Sequence, residues 1–345
     1  MRVLITGHQG YIGSVLAGVL ADAGHAVAGL DAGYFADCAF GPAPREIPSI
    51  QRDVRDVAAE DLDGIEAIVH LAALSNDPMG ELHPELTHDI NERAAVRLAR
   101  LARDAGVRRF LFASSCSLYG AAGEVPVTEE APLRPLTHYA TSKARVEEAL
   151  LPLADRRFSP VMVRSATVYG LSPRLRLDVV VNNLAAWAWT TGSIRVLSDG
   201  TPWRPLIHVE DVARAYGALL AAPREAVHAQ AFNIGAPGEN YQVRRLAELV
   251  QEAMPGCRLE FGEGGPDARD YRVDFSKLAA RVPQFQPRWT VAQGVRELAQ
   301  AFARVGLSRD AFEGPRYIRI RRLKQLLEAD RLDAGLRWTA AAVGR

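Results

Sequence analysis

Tyr139 and Lys143, in the stretch YATSK, stand four residues apart, a spacing at which two side chains can act as one acid–base unit. On a helix they share a face, the phenol one turn before the ammonium. A free phenol has a pKa near ~10 and is a poor base at neutral pH. One positive charge at ~4 Å, in a medium of effective dielectric ~20, is worth roughly 4 kcal/mol. That can lower the phenol's pKa by up to ~3, at about 1.4 kcal/mol for each factor of ten. Burial pushes the other way, so the net lowering is smaller, yet a value near ~7, suited to a general base, is within reach. YxxxK taken alone also fits an exposed surface pair.

The other chemical signal lies at the start of the chain. TGHQGYIG places Gly7, Gly10 and Gly13 between an apolar run and an amphipathic one. Glycines there allow a tight turn, close approach of backbone to a pyrophosphate, and close helix–strand contact, while the helix N-terminus offers free N–H groups to the anion. The spacing is GxxGxxG rather than GxGxxG, so context has to carry it. An acid, Asp31, ends the next apolar run 24 positions past Gly7. Its carboxylate can accept from both hydroxyls of a ribose and would repel a 2′-phosphate, and no Arg or Lys follows it in DAGYF, so NAD is favoured over NADP. The competing reading is a glycine-rich turn with no cofactor.

These residues need elements to position them. Arg2–Thr6 reads as a strand and Tyr11–Ala23 as a helix, with Ile12, Val15, Leu16, Val19 and Leu20 at helical spacing. Strands at Ala26–Leu30, Glu66–Ala72, Arg108–Ala113 and Val161–Arg164 alternate with helices at Pro84–Asp104 and Tyr139–Leu153. Such alternation predicts an α/β, Rossmann-type doubly wound parallel sheet. After about residue 171 the alternation breaks. Helices are expected at Arg174–Thr191, Val209–Ala221, Val243–Met254 and Val291–Ala303, with short strands at Arg195–Leu197, Ala231–Ile234 and 257–261. That mixture predicts a smaller C-terminal α+β region. The expected division is 1–170, carrying cofactor and catalytic groups, 171–310 for substrate, with some segments returning to the first part, and a helical tail at 311–345.

Composition excludes several classes. Lys+Arg and Asp+Glu both total 41 in 345 residues, which supports neither a nucleic-acid footprint nor a polybasic membrane anchor. Cys38, Cys116 and Cys257 are too few and too scattered for a disulfide framework or a zinc site. The chain enters a strand-like run at once and has no apolar stretch of spanning length, so a cytoplasmic protein is expected.

Taken in order, TGHQGYIG, Asp31, Asp53 in RDVRD, HLAALS (70–75), Asn91, SSCSLYG (114–120), YATSK, RSATVYG (164–170) and RPLIHVEDVA (204–213) resemble the extended short-chain dehydrogenase/reductase superfamily, in its nucleotide-sugar epimerase/dehydratase branch. The resemblance runs from Met1 to about residue 305. It implies that Gly7, Gly10, Tyr11, Ile12 and Gly13 line the pyrophosphate of NAD, with Asp31 on the adenosine ribose, Asp53 and Val54 at the adenine, and Leu71, Ala72 and Ala73 beneath the cofactor. It also implies Tyr139 as base, Lys143 on the nicotinamide ribose, and Ser115 on the reacting sugar hydroxyl. Ser75 would lie where the sugar phosphate or hexose enters and Ser117 beside the sugar, while Asn183, Arg204 and Arg269 would hold the diphosphate of a nucleotide sugar, a task suited to the guanidinium fork. RLRLDVVVNN and SIRVLSDG would frame the base. A homodimer is implied through helices near 92–104 and 140–153.

The resemblance also bears on the reaction. Family dehydratases carry acids at the positions of Cys116 and Ser117, and decarboxylases keep one of them. Here the triplet is Ser115, Cys116, Ser117. With no acid to drive loss of water, redox-neutral epimerisation at C4 is the first expectation. A ketoreductase, or an epimerase acting beside a ketone, is second; a 4,6-dehydratase or decarboxylase ranks lower, and a cofactor-bound sensor or scaffold is the non-enzymatic alternative. The catalytic cysteine of a related group aligns with Ser117 rather than Cys116, so Cys116 is expected to be a packed residue.

The remaining candidates have plainer expectations. His70 reads as a hydrogen-bonded core group and His208 as a support for the loop around Arg204. His83 and His88 flank PELT before a helix without a third ligand, so no metal is expected. Trp187 and Trp189 read as core, and Trp203 as core or a nucleobase stack. Asn91 is expected to support a strand end near Ser115, and the basic run Tyr317–Leu327 to be a solvated helix face.

Overall fold

The computed structural model describes residues 1–75, 83–123, 125–264 and 269–340. In chain order the strands are β1 (Arg2–Thr6), β2 (Ala26–Asp31), β3 (Ser49–Gln51), β4 (Ala67–His70), β5 (Arg109–Ser115), β6 (Ser159–Ser165), β7 (Thr167–Tyr169), β8 (Ser193–Ser198), β9 (Trp203–His208), β10 (Gln230–Ile234), β11 (Asn240–Gln242) and β12 (Arg258–Gly264). The longer helices are α1 (Tyr11–Asp22), α2 (Ala94–Asp104), α3 (His138–Leu150), α4 (Val180–Thr191), α5 (Val209–Ala221), α6 (Val243–Ala253), α7 (Val291–Val305) and α8 (Arg319–Glu328).

A seven-stranded sheet, ordered β10-β6-β5-β4-β1-β2-β3 and parallel throughout, forms the frame. Its inner strands are buried along nearly their whole length, as β4 shows at all four residues, because helices cover both faces. On one face Leu16 and Leu20 of α1 share a core with Tyr216 and Leu219 of α5. On the other, Leu98 of α2 and Val146 of α3 share a core with Leu323 and Leu326 of α8 and with Leu332 and Leu336 beyond it. Chain order reverses between β1 and β4, where Thr6 and His70 are register partners. The crevice beyond such a switch point is where open α/β sheets bind ligands.

The rest of the chain builds a second core from α4, α6, α7 and β8, with Phe312 and Tyr317. Two small sheets serve it: β9 lies between parallel β7 and antiparallel β11, and β8 pairs in parallel with β12. Among the described residues no helix is long and apolar enough to cross a membrane.

Several expected elements differ. The helix expected at Pro84–Asp104 is broken by a π-helical turn at His88–Arg93, a feature that recurs at functional sites. Asn91 lies in that turn; its amide accepts from Leu74 N–H (2.8 Å) and donates to Leu74 C=O (3.1 Å), holding the segment after β4 rather than the end of β5 near Ser115. The helix expected from Arg174 begins only at Val180; the preceding residues run through turns and bends, with Asn182 Nδ2 donating to Arg176 C=O (2.9 Å). β9 went unforeseen because Pro205 argues against a strand. The expected helical tail leaves the helix after Glu328 and closes with a Leu332–Trp338 bridge.

Candidate active site

The C-terminal ends of β1, β2, β4 and β5 open into one cavity of about 680 Å³, within the ~300–1,000 Å³ usual for small-molecule sites. Gly7 leaves β1 with φ +79°, and a Cβ there would lie 2.7 Å from the Ala72 nitrogen. A Cβ on Gly13 would lie 2.6 Å from His8 Cα. Gly10 caps α1, whose first turn carries no acidic side chain, so the first N–H groups of the helix face the cavity side with neither side-chain acceptor nor opposing charge. This bare turn fits a diphosphate. Asp31 ends β2, accepting from Gln9 N–H (3.0 Å) at one oxygen and Gly33 N–H (2.8 Å) at the other. Burial pushes its carboxyl up, against those N–H groups. Hydroxyl donors from a ribose would relieve that cost.

Val54, Leu71, Ala72 and Ala73 line the same end, as do Tyr11 and Ile12. Asp53 also lines it, yet its oxygens are already engaged by Arg55 N–H (2.9 Å), Arg55 Nε (3.0 Å), Arg55 Nη2 (2.7 Å) and the Tyr34 hydroxyl (3.3 Å). Its visible task is to fix the Val54–Asp56 turn.

Tyr139 and Lys143 both reach the cavity from α3. Thr137 caps that helix, its hydroxyl accepting from Ala140 N–H (3.2 Å). One turn beyond Lys143, buried Glu147 accepts from Ser114 Oγ (2.5 Å) and pairs with Arg164 (2.6 Å), which clamps α3 to the ends of β5 and β6. Lys143 is 2% exposed, its Nζ 4.7 Å from the Phe112 ring centre and 5.7 Å from that of Tyr139. Burial pushes its ammonium down to about 7, against the pull of Glu147. At the end of β5, Ser115 Oγ accepts from Ser117 N–H (3.1 Å) and Ser117 Oγ (2.9 Å), which leaves its own proton to donate.

Ser75, Asn183, Arg204 and Arg269 line the same cavity, so every expected site residue opens onto it. Arg204 Nη1 donates to the carbonyls of Trp203 (2.8 Å) and Arg269, linking β9 to the second arginine. Tyr34, Phe35, Tyr216 and Arg319 also line the cavity and were not foreseen, while Arg176 and Asp178 belong to RLRLDVVVNN, expected only to frame the base. Arg176 grips Asp178 with two bonds (2.9 and 3.1 Å), reaches Ser75 Oγ (3.2 Å), and stands within electrostatic range of Tyr139. Burial pushes the Asp178 carboxyl up, but Arg176 outweighs it and holds the group below the usual range. The alternation Arg174-Leu175-Arg176-Leu177, with both leucines fully buried, was the sequence signal for a non-helical segment.

Other candidates sit apart from the chemistry. The Cys116 thiol donates to Arg164 C=O (3.1 Å) inside the core, and burial pushes it up. His70 Nδ1 lies 2.6 Å from Thr6 Oγ1, and burial, then the Lys143 charge, takes its pKa to about 3. His208 does not serve the Arg204 loop: it bonds Glu297 (3.0 Å), stacks on Trp289 and caps α5. Trp187 packs edge-on to Phe312, Trp189 is 40% exposed rather than core, and Trp203 lies under Arg272; none of the three lines the cavity.

A glycine turn at a helix N-terminus, a Ser/Tyr/Lys group and two arginines line one cavity, an arrangement that fits a dinucleotide-dependent enzyme. Residues 3–235 match the model of the NAD dependent epimerase/dehydratase family, and the chain belongs to that family. It is 31% identical over 268 residues to the UDP-glucose 4-epimerase of Corynebacterium glutamicum, covering 73% of this chain and 80% of that one. To the UDP-glucose 4-epimerase of Mycolicibacterium smegmatis it is 30% identical over 321 residues, covering 88% and 98%. TunA, an NAD dependent NDP-hexosamine 5,6-dehydratase involved in tunicamycin biosynthesis, superposes with a TM-score of 0.79 at 25% identity, covering 88% and 98%. MoeE5, solved with UDP-glucuronic acid and NAD, gives 0.76 at 28% identity, covering 88% and 100%.

Proposed function

We propose that this chain epimerises a nucleotide sugar at C4. NAD is its cofactor, and when bound it takes a hydride from the sugar carbon and gives one back. The chain's own residues manage the protons and the geometry. Tyr139 takes the C4 hydroxyl proton as the C–H bond breaks, while Ser115, its hydroxyl proton free, bonds the same oxygen. Lys143 lends positive charge to the phenolate and holds the nicotinamide ribose. Asn183, Arg204 and Arg269 grip the diphosphate, about which the ketosugar turns to present its other face. Hydride and proton then return, and no net oxidation results.

One observation carries the choice of reaction: the residues beside Ser115 offer no carboxylic acid to expel water. Cys116 faces the core and Ser117 presents a hydroxyl bonded to Ser115. The described carboxylates on the cavity are Asp31 and Asp53 at the cofactor end, and Asp178, which Arg176 keeps ionised. The likeness to TunA makes elimination the reading to test against. Proton NMR of the protein with catalytic NAD and a panel of nucleotide hexoses, half of the samples in D₂O, separates them. Inverted C4 with unchanged mass and no deuterium supports epimerisation. Loss of water, deuterium beside a carbonyl, or a need for added NADH overturns it.

We also propose a homodimer through α2 and α3, whose shared groove is lined by Val96, Leu101 and Ala149 among charged neighbours. Light scattering that returns a monomer mass would refute it.

A further inference from the structure

Arg319 is 2% exposed and lines the cavity, yet its Nη1 has no hydrogen-bond partner among the described residues. Leaving a buried guanidinium partly unanswered is costly. Nη2 donates to Arg174 C=O (2.7 Å), and the centre of the Phe35 ring is 4.3 Å from the guanidinium carbon. Arg174 and Arg176 act on it with like charge; opposite them stand the Cys38 thiol, Asp178, already gripped by Arg176, and Asp31, already held by two N–H groups. Arg174 likewise has a buried Nε without a partner among the described residues. Such a cluster calls for an anion.

The contacts indicate which anion. Ser172 Oγ donates to the carbonyl of Tyr11 (2.7 Å) in the first turn of α1 and accepts from Arg174 N–H (3.1 Å). Arg319 hangs from the carbonyl of that same Arg174. The guanidinium is thereby tied to the glycine turn, and it acts electrostatically on Asp31 at the ribose position. Beyond Arg319 the chain stays at this end: Tyr34 OH donates to Leu336 C=O, Arg55 Nη1 to Gly335 C=O (2.9 Å), and Trp338 Nε1 to Ala32 C=O.

We infer that Arg319 binds the diphosphate of the dinucleotide opposite the α1 N-terminus, and that the segment 318–338 fastens the cofactor's adenosine half into the protein. The inference rests on the dinucleotide site and is independent of which sugar reaction follows.

The test compares the full-length chain with Arg319→Met and Arg319→Lys, stripped of nucleotide, by calorimetric titration with ADP-ribose, adenosine and UDP. Arg319→Met is expected to weaken ADP-ribose by about 30-fold, the scale of a lost hydrogen bond to a charged group, to leave adenosine and UDP within twofold, and to purify with less NAD. Arg319→Lys should recover part of the loss. If adenosine weakens as much as ADP-ribose, the residue only shapes the pocket. If UDP weakens while ADP-ribose does not, it serves the substrate's diphosphate. Either result, or unchanged ADP-ribose binding in a folded variant, overturns the inference.

Discussion

The two ends of the cavity are built from different materials. At the cofactor end, much of the surface is backbone: Gly7, Gly10 and Gly13 in one turn, and Asp31 held by two N–H groups. At the end proposed for catalysis and substrate the surface is side chain, drawn from β5, α3, α4, β9 and Arg269. A backbone cradle tolerates almost no added volume but needs few particular side chains. A side-chain site tolerates shape changes but loses its function one group at a time. Whether the molecule obeys that division can be tested by striking each end and reading both cofactor binding and turnover.

The sharpest separation should come from Tyr139→Phe. It removes a proton acceptor and leaves the ring, so turnover should fall by about 10³-fold or more, in the range of general base catalysis, while retained NAD stays the same. Paired measurement of turnover and nucleotide content checks this. Surviving turnover would remove Tyr139 from its role.

Gly7→Ala strikes the other end. A left-handed backbone conformation costs a non-glycine residue about 1–3 kcal/mol, and here the new Cβ would also meet the Ala72 nitrogen at 2.7 Å. The variant should purify without NAD and melt at a lower temperature. Normal NAD content would mean that the turn can yield, and the division between the two ends would blur.

Arg204→Met should act more mildly. Losing a charged hydrogen-bond donor to a diphosphate is worth about 1.5–3 kcal/mol, so KM for the nucleotide sugar should rise about 10- to 100-fold, with kcat changed less and NAD content unchanged. Steady-state kinetics on the sugar found active by NMR decides it. A fall in kcat with constant KM would move Arg204 from anchoring the diphosphate to positioning the reacting carbon.

The same division governs how much was legible in the sequence. The cofactor turn was readable because its residues are contiguous and each type has one physical excuse for being there. Tyr139 and Lys143 were readable because helical spacing joins them. Arg204 and Arg269 came only through resemblance, since nothing in their local pattern says that β9 and a distant loop meet. Arg176 was expected only among the residues framing the base, because an alternating Arg-Leu stretch was taken for the start of α4. Arg319 was lost differently: the basic run 317–327 reads as a solvated face, but only Arg321, Lys324 and Gln325 in it are exposed. Arg319, Leu323 and Leu326 fall at i, i+4 and i+7, one buried stripe of α8. An arginine on the apolar stripe was the available signal. What it faces depends on how the tail packs beside β2, and only the three-dimensional structure supplies that.

The smallest effect, and the one that bears most closely on the difference between the ends, concerns pH. In the cofactor-stripped protein burial takes Lys143 to about 7, from 10.5 for a free lysine. Below about 7 it is protonated in both folded and unfolded chains, and the folded state carries the whole cost of the buried charge. Between those values the unfolded chain binds more protons, so stability rises with pH across the window. Above it the contribution is gone. Lys143→Met removes the group, so its melting temperature should exceed the wild type's by several degrees at pH 6 and by little at pH 9.5. Scanning calorimetry at those two values measures the difference. The backbone-built end predicts no such dependence for Gly7→Ala, whose loss should be alike at both. A gap for Lys143→Met that does not change with pH would mean that the ammonium is already satisfied without ligand, by Glu147 and the Phe112 ring, and the catalytic end would then be as pre-formed as the cofactor cradle.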